Sequence, residues 1–177
     1  MATLRIIALC VLAAVTYGIL HDQVTVRVCV EYFTIGHPRV FDTESATLLA
    51  IGWGVLATWW VGLLLGLLLA FAARRGRRPV RSACSLVRPI LFLLLCMAAG
   101  SLLAGALGYV LANNAVVVLL GPLASSVPHE RHAAFLADLW AHSASYFVGI
   151  VGGLVLCNRV WRSRSALATS TTVVPRQ

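Results

Sequence analysis

Long apolar runs alternate with shorter polar stretches along this chain. Four runs stand out, at residues 4–20, 48–73, 90–112 and about 139–157. Each reaches or approaches the roughly 20 residues with which a helix crosses about 30 Å of hydrocarbon. Backbone amides in lipid must bond within the chain, and the alternating segments of a barrel are missing, so the runs are predicted to be helices. The pattern predicts an all-α membrane protein, a bundle of four transmembrane helices forming a single membrane domain over residues 1–177.

The composition supports this class of protein. Hydrophobic residues make up 60% of the chain, charged residues make up 11%, and mean hydropathy is +0.89. A water-soluble protein is therefore excluded. A cleaved signal peptide would need a small-x-small motif before His21, and Thr16-Tyr17-Gly18 is a poor one. The first run is therefore expected to remain as a span.

The arginines are concentrated in two stretches. Six lie in or beside the loop between the second and third runs, four lie in the tail, and the other two loops share three. Because short cytoplasmic loops keep positive charge, loop 74–89 and tail 158–177, which holds Arg176, are predicted to be cytoplasmic. This gives an N-in/C-in topology with Arg5 on the same side. The net charge of +8 then indicates anionic inner-leaflet lipids as partners, and no nucleic acid.

Small residues recur at every fourth position in three spans. They are Ala50, Gly54, Thr58, Gly62, Gly66 and Ala70 in the second, Gly100, Ala104, Gly108 and Ala112 in the third, and Ala137, Ala141, Ser145, Gly149 and Gly153 in the fourth. Such stripes let helix backbones approach closely in lipid. They predict a tight bundle, and they also offer faces for a homo- or hetero-oligomer.

The stretch after the first run carries two conflicting patterns. Valines alternate with other residues from Val24 to Val30, which is typical of a strand, whereas Gly36 and Pro38 follow like the end of a helix. We favour a helix, so that helix 1 projects on the outer face. Ser126 and Pro128 similarly mark the start of a projecting helix 4, and Asp42 is expected to cap the second span.

All six acidic residues and all five histidines fall on the predicted outer side. Counting about 1.5 Å per residue from Arg5 and from Arg159 places His21 and His142 at nearly the same depth. Asp22 is adjacent to His21, and Asp138 lies one turn from His142 on the same helix face. If helices 1 and 4 are neighbours, these four side chains converge. Imidazoles and carboxylates are ligands of transition metals, so His21, Asp22, Asp138 and His142 are the candidate metal site.

Further polar side chains lie nearer the outer surface. The outer candidates are Glu31, His37, His129, Glu130 and His132. The sequence His129-Glu130-Arg131-His132 is not the zinc-protease motif His-Glu-x-x-His, because His132 comes one residue early. No catalytic residue is identified, and whether the protein is an enzyme stays open.

Three functions are compatible with these patterns. The preferred interpretation is a non-catalytic packing or accessory membrane protein, whose outer polar side chains bond to Tyr17, Tyr146, Thr58 or lipid headgroups. The first alternative is a metal- or haem-binding membrane protein with an outward-facing site of histidines and carboxylates. The second is a component of a small-solute or proton transporter, which the lack of charge in the middle of the spans disfavours.

Several motifs of the chain resemble those of a known group of proteins. They are His21-Asp22-Gln23, the stretch Glu31-Tyr32-Phe33-Thr34-Ile35-Gly36-His37-Pro38, Gly52-Trp53-Gly54 with Thr58-Trp59-Trp60, and Asp138-Leu139-Trp140-Ala141-His142. Over most of residues 17–155 the chain resembles uncharacterised bacterial four-span inner-membrane proteins. The resemblance implies a multi-pass protein of the bacterial inner membrane and no particular activity.

Overall fold

The computed structural model describes the backbone of residues 1–172 and the side chains of residues 1–164. In chain order the helices are α1 (Ala2–Val28), α2 (Val30–Thr34), α3 (Ala46–Arg74), α4 (Ala83–Asn113), α5 (Pro122–Ser126), a 3-10 turn (His129–Arg131) and α6 (His132–Thr172). Within the described backbone no residue forms a strand. The prediction of an all-α protein is confirmed.

Four helices in the described part of the chain are long and apolar enough to cross a membrane. They cover Ala2–Val28, Ala46–Arg74, Ala83–Asn113 and His129–Arg164. Each contains one of the apolar runs and extends beyond it, because polar residues at the helix ends continue the backbone hydrogen bonding. The chain is therefore an integral, multi-pass membrane protein with four spans.

The polar segments at one end of the bundle are shorter than predicted. The predicted loop 74–89 narrows to residues 75–82, because Ser82 caps α4 by accepting a 3.3 Å hydrogen bond from the Ser85 N–H and Pro89 lies inside the helix. The predicted tail 158–177 continues as helix to Thr172, and Arg176 lies outside the described residues. We call this end, with loop 75–82, the arginine end.

The opposite end holds all the histidines, and we call it the histidine end (residues 21–53 and 112–142). Residues 21–28 and 30–34 are helical, as favoured, with an extended residue at Cys29 (φ −149°, ψ 97°) that separates α1 from α2. The expected cap at Asp42 is wrong. Ser45 caps α3 instead, since its Oγ accepts from the Leu48 N–H at 3.5 Å.

The four long helices pack mainly as two consecutive pairs. α1 lies along α3 and α4 lies along α6, while α3 also contacts α6 and α1 contacts α4. The helices therefore form a ring in which α1 and α6 stand across a diagonal. The expectation that the first and fourth spans are neighbours is wrong, because the small-residue faces join consecutive helices.

Glycines allow the closest approach between α1 and α3. A Cβ atom at Gly54 would lie 2.6 Å from the Ile19 Cα, and one at Gly62 would lie 2.9 Å from the Cys10 carbonyl oxygen. In the other pair, a Cβ at Gly108 would lie 2.7 Å from Trp140 Cγ. The predicted small-residue stripes thus form helix-packing seams, in agreement with the close approach expected in lipid.

A buried arginine ties the arginine end together. The Arg164 side chain is fully buried (0% exposed) and donates to the carbonyl oxygens of Ala72 and Pro79, both at 2.6 Å. It also donates to the carbonyls of Arg75 and Arg78 at 3.0 Å. One guanidinium of α6 therefore satisfies a free carbonyl of the last turn of α3 and fixes the loop that follows.

Candidate functional site

Three ionisable side chains meet inside the histidine end. His21 and Asp22 come from α1 and His142 comes from α6, and one ligand atom of each lies within 4.8 Å of the others. His142 Nε2 is 3.3 Å from Asp22 Oδ1, and the two imidazole centroids are 4.5 Å apart. Because α1 and α6 face each other across the bundle, these side chains converge in its interior. The predicted meeting of His21 with His142 therefore occurs, although the helices are not neighbours.

The second ring nitrogen of each histidine has its own partner. His142 Nδ1 lies 2.8 Å from the Asp138 carbonyl oxygen. A carbonyl can only accept, so Nδ1 carries a hydrogen and donates it. His21 Nδ1 lies 3.4 Å from Ser101 Oγ, whereas His21 Nε2 is buried without a hydrogen-bond partner among the described residues. His21 Nε2 has no partner among those residues and His142 Nε2 faces Asp22, so both Nε2 atoms can serve as ligands, the usual arrangement when the other nitrogen is held by a backbone or side-chain group.

Aromatic rings surround the cluster and hold its imidazoles in place. Tyr32 stacks on His142 with centroids 4.5 Å apart, and Phe33 meets the same ring edge-on at 5.8 Å. On the inner side Tyr17 stacks on His21 at 5.8 Å, and its hydroxyl bonds to Ser145 at 3.0 Å. Such contacts fix the ring orientations and limit the access of water.

The cluster lies at the top of a cavity of about 150 Å³ between the helices. Towards the arginine end its walls carry no charged side chain and include Leu65 and Leu69 together with Cys10 and Cys157. Sites for cofactors and drug-sized ligands generally exceed about 300 Å³. The cavity is therefore too small for haem but has ample room for a metal ion with one or two further ligands.

Asp138 is not part of the cluster, contrary to the prediction. Its backbone carbonyl accepts from His142 Nδ1, while its carboxylate is not among the ligand atoms that gather at His21, Asp22 and His142. The spacing of four residues places Asp138 one turn from His142, but the cluster draws its carboxylate from Asp22 on α1 instead. Asp138 is 1% exposed, and its Oδ2 has no hydrogen-bond partner among the described residues.

The outer candidates are placed apart from the cluster and mostly have structural contacts. Glu31 accepts from Arg131 Nε at 3.0 Å. His37 bonds to the Tyr32 carbonyl at 2.7 Å, and His132 bonds to that of Val127 at 3.0 Å. His129 and Glu130 are exposed at the surface. Of these, only His37 lines the same cavity as the cluster.

The sequence reasoning missed Ser101, Ser145 and Tyr32 as contributors to the site. Tyr32 belongs to one of the motifs that carry the resemblance, and this was its only signal. Ser101 and Ser145 look like ordinary small residues in apolar spans. Their hydroxyls gain importance only when the fold sets them beside His21 and Tyr17.

Cys29 and Glu31 form a small polar contact above the cluster. The Cys29 thiol is fully buried and donates to Glu31 Oε2 at 3.3 Å. Burial and this hydrogen bond raise the pKa of the Cys29 thiol to about 12. Burial also acts to raise the pKa of Glu31, but hydrogen bonds from its own N–H, Arg131 and Cys29 outweigh it and hold that pKa below its usual value.

We expect Cys29 to resist alkylation at pH 8. The thiolate is the reactive form, and a raised pKa together with full burial leaves very little of it accessible. Maleimide should modify Cys29 at least about 100-fold more slowly than Cys84, which is exposed, as measured by peptide mass spectrometry. Similar rates at the two cysteines would show that the histidine end is open. Unfolded protein provides the control, because both thiols should then react alike.

No protein-family model, curated protein or solved structure matches the chain. What the fold and the site define is therefore a class: a four-span membrane protein with an interior cluster of two histidines and one carboxylate near one end. The resemblance to uncharacterised four-span bacterial proteins stays a prediction. Any function has to be argued from the geometry of the cluster.

Proposed function

We propose that this membrane protein binds a divalent transition-metal ion through His21, Asp22 and His142. Two imidazoles and one carboxylate form a ligand set used for zinc and for non-haem iron, with at least one coordination position left open. The observation that carries the proposal is the 3.3 Å approach of His142 Nε2 to Asp22 Oδ1.

That approach requires a positive charge or a proton between the two atoms. The Nδ1 hydrogen of His142 is already donated to the Asp138 carbonyl, so a neutral His142 would turn a lone pair towards the carboxylate. A proton on Nε2 would make this an ion pair but would leave His21 Nε2 without a partner. A metal ion would serve both imidazoles and the carboxylate together. Buried polar groups generally find partners, which favours the ion.

The preferred interpretation from sequence, a packing or accessory protein, gives the cluster a different role. A protonated His142 and Asp22 would then join α1 to α6 across the bundle as a buried ion pair. Below the cluster the cavity is lined by no charged side chain, which argues against a path for ions through the bundle and so against a transporter.

Metal analysis of purified protein distinguishes these roles. Protein in mild detergent is stripped with a chelator, reloaded with Zn²⁺ or Co²⁺, and freed of excess metal. We expect about one ion per chain and, with Co²⁺, the visible bands of a low-symmetry site with nitrogen and oxygen ligands. If the reloaded protein holds no more metal than a buffer blank, the metal-binding proposal is overturned and the ion-pair role remains.

We further infer that the metal centre faces the outside of a bacterial inner membrane. The support is the separation of charge along the bundle, with loop 75–82 arginine-rich and the histidines at the other end. In this topology the N terminus, loop 75–82 and the C terminus are cytoplasmic, and anionic lipids of the inner leaflet contact the arginine end.

Reporter fusions test this orientation. An enzyme active only in the cytoplasm should work when fused after Arg78 or Gln177 and fail when fused after Thr43 or Ser125. An enzyme active only after export should give the reverse pattern. Cytoplasmic activity at Ser125 would contradict the orientation and place the metal centre inside.

A further inference from the structure

A groove runs between α4 and α6 in the half of the bundle nearer the arginine end. Its volume is about 570 Å³, and it extends along α4 from Ser85 to Cys96. At about 1.5 Å per residue this distance is roughly 17 Å, close to half of the roughly 30 Å of hydrocarbon in a bilayer. The groove therefore has the length of one leaflet, the leaflet at the arginine end.

The middle of the groove is apolar and open to the bilayer. Four large apolar side chains that are 44–68% exposed line it, namely Phe92, Phe147, Val151 and Val155. In a membrane these side chains face lipid, so a hydrocarbon chain can enter from the side and fill the space between the two helices by van der Waals contact. The apolar part of an occupant is therefore a chain of leaflet length.

Basic and hydroxyl side chains line the groove where it reaches the arginine end. They are Arg81, Ser85, Arg159 and Ser163. Arg81 Nη2 donates to Ser163 Oγ at 3.2 Å, and this bond holds the Arg81 guanidinium against α6. Arg159 lies one turn from Ser163 on the same face of α6, since residues four apart in a helix are neighbours. One end of the groove thus gathers two arginines and two hydroxyls.

The charges of these arginines are not neutralised by carboxylates. All six acidic residues of the chain lie at the histidine end, and the ion pairs formed among the described residues involve neither Arg81 nor Arg159. Each guanidinium also keeps N–H donors beyond the bond to Ser163. Like charges that line one site repel each other, and an anion bound between them removes this cost.

These features define the chemistry of an occupant. Its tail is an acyl chain, and its head carries negative charge and accepts hydrogen bonds from guanidinium groups, as a phosphate does. A zwitterionic headgroup is disfavoured, because its ammonium group would meet two arginines and no carboxylate. We propose that the groove binds one anionic phospholipid, with the phosphate on Arg81 and Arg159 and an acyl chain between α4 and α6.

This site rests on the proposed contact of anionic lipids with the arginine end and narrows that contact to one groove. General attraction of an arginine-rich surface to anionic lipid is shared among its arginines, whereas a built site depends on particular ones. The site is independent of the metal centre, because none of His21, Asp22 and His142 lines it. Removal of metal is therefore expected to leave lipid binding unchanged.

A comparison of headgroups tests the role of charge. Full-length protein is delipidated in a neutral detergent and titrated with dioleoylphosphatidylglycerol or dioleoylphosphatidylethanolamine, and native mass spectrometry counts the bound lipid. The two lipids have the same acyl chains, so a difference reports the headgroup. We expect one phosphatidylglycerol per chain, bound at least about 10-fold more tightly than the zwitterionic lipid. Equal affinities, or no binding of phosphatidylglycerol, would overturn the proposal.

Matched double variants distinguish the groove from the general charge of the arginine end. Arg81→Gln with Arg159→Gln removes the arginines of the groove, whereas Arg88→Gln with Arg162→Gln removes two exposed arginines that do not line it. Both pairs remove the same charge. The first should weaken phosphatidylglycerol binding at least about 10-fold, and the second less than about threefold. Equal weakening would overturn the site and leave only the general contact.

A second pair of variants tests the position of the acyl chain. Val155 lines the groove, while Leu154 is similarly exposed on α6 and does not line it. Val155→Trp should fill the space and weaken phosphatidylglycerol binding at least about 10-fold, whereas Leu154→Trp should leave it within about threefold. Both variants keep every arginine, so this test holds even if the glutamine variants do not fold. Undiminished binding to Val155→Trp would overturn the proposal.

Discussion

His142→Ala protein should bind Zn²⁺ at least about 100-fold more weakly than the unchanged protein. Loss of a group that merely orients a ligand typically costs 10- to 100-fold in metal affinity, and removal of a ligand should cost no less. His142 Nε2 also lies 3.3 Å from Asp22 Oδ1, so its loss leaves that carboxylate oxygen without this partner. Competition against a fluorescent zinc chelator in detergent measures the change. His21→Ala should behave in the same way, because it removes the other imidazole.

His129→Ala is the matched control for these variants. His129 also lies at the histidine end but is exposed and outside the cluster, so its removal should change zinc affinity by less than twofold. Helical content and gel-filtration profile show whether each variant is folded. A folded His142→Ala protein with unchanged zinc affinity would contradict the metal site. If the unchanged protein binds no metal and the His142→Ala variant unfolds, the ion-pair role is supported.

Gly54→Ala should loosen the contact of α1 with α3 and lower the free energy of unfolding by about 1–3 kcal/mol. The added Cβ would lie 2.6 Å from both the Cα and the N of Ile19, which are backbone atoms that no rotamer change can move. One helix must therefore shift along its length. Unfolding by SDS from mixed micelles, followed by circular dichroism, measures the loss. Gly54→Leu should prevent the helices from pairing altogether.

Gly100→Ala is the comparison for that substitution. A Cβ there would meet only Val148 Cγ2, at 3.2 Å, and a valine side chain yields more easily than a backbone. Its free energy of unfolding should stay within about 1 kcal/mol of the unchanged protein, since alanine is also the better helix former. Equal destabilisation by the two variants would mean that the seam between α1 and α3 is not the tight contact described.

The spans and the seams between them could be predicted from sequence for a simple reason. A long apolar run in lipid has one stable backbone conformation, so residues 48–73 had to be helical whatever they packed against. Stripes such as Gly54 and Gly62 indicate where a second backbone fits. The stripes do not show which helix supplies that backbone. The expectation that the first and fourth spans are neighbours was wrong for this reason.

The candidate site was predicted in part. Depth along the membrane follows from counting residues, and this correctly set His21 level with His142. Which neighbouring helix a side chain faces depends on how the helices pack against one another, and the sequence does not show this. Asp138 therefore entered the predicted cluster although its carboxylate is not among the ligand atoms that gather there. Ser101 was missed for the same reason, since its partner lies on another helix.

The buried guanidinium of Arg164 has a consequence for how the protein is made. Translation proceeds from the N terminus, so α3 and loop 75–82 are inserted well before residue 164 leaves the ribosome. Until then the carbonyls of Ala72, Pro79, Arg75 and Arg78 lack the donor that later binds them. The first hairpin is thus incomplete by itself, and the arrival of the last helix completes it. A nascent chain that stops short of this arginine would leave these carbonyls to bond with water at the membrane surface.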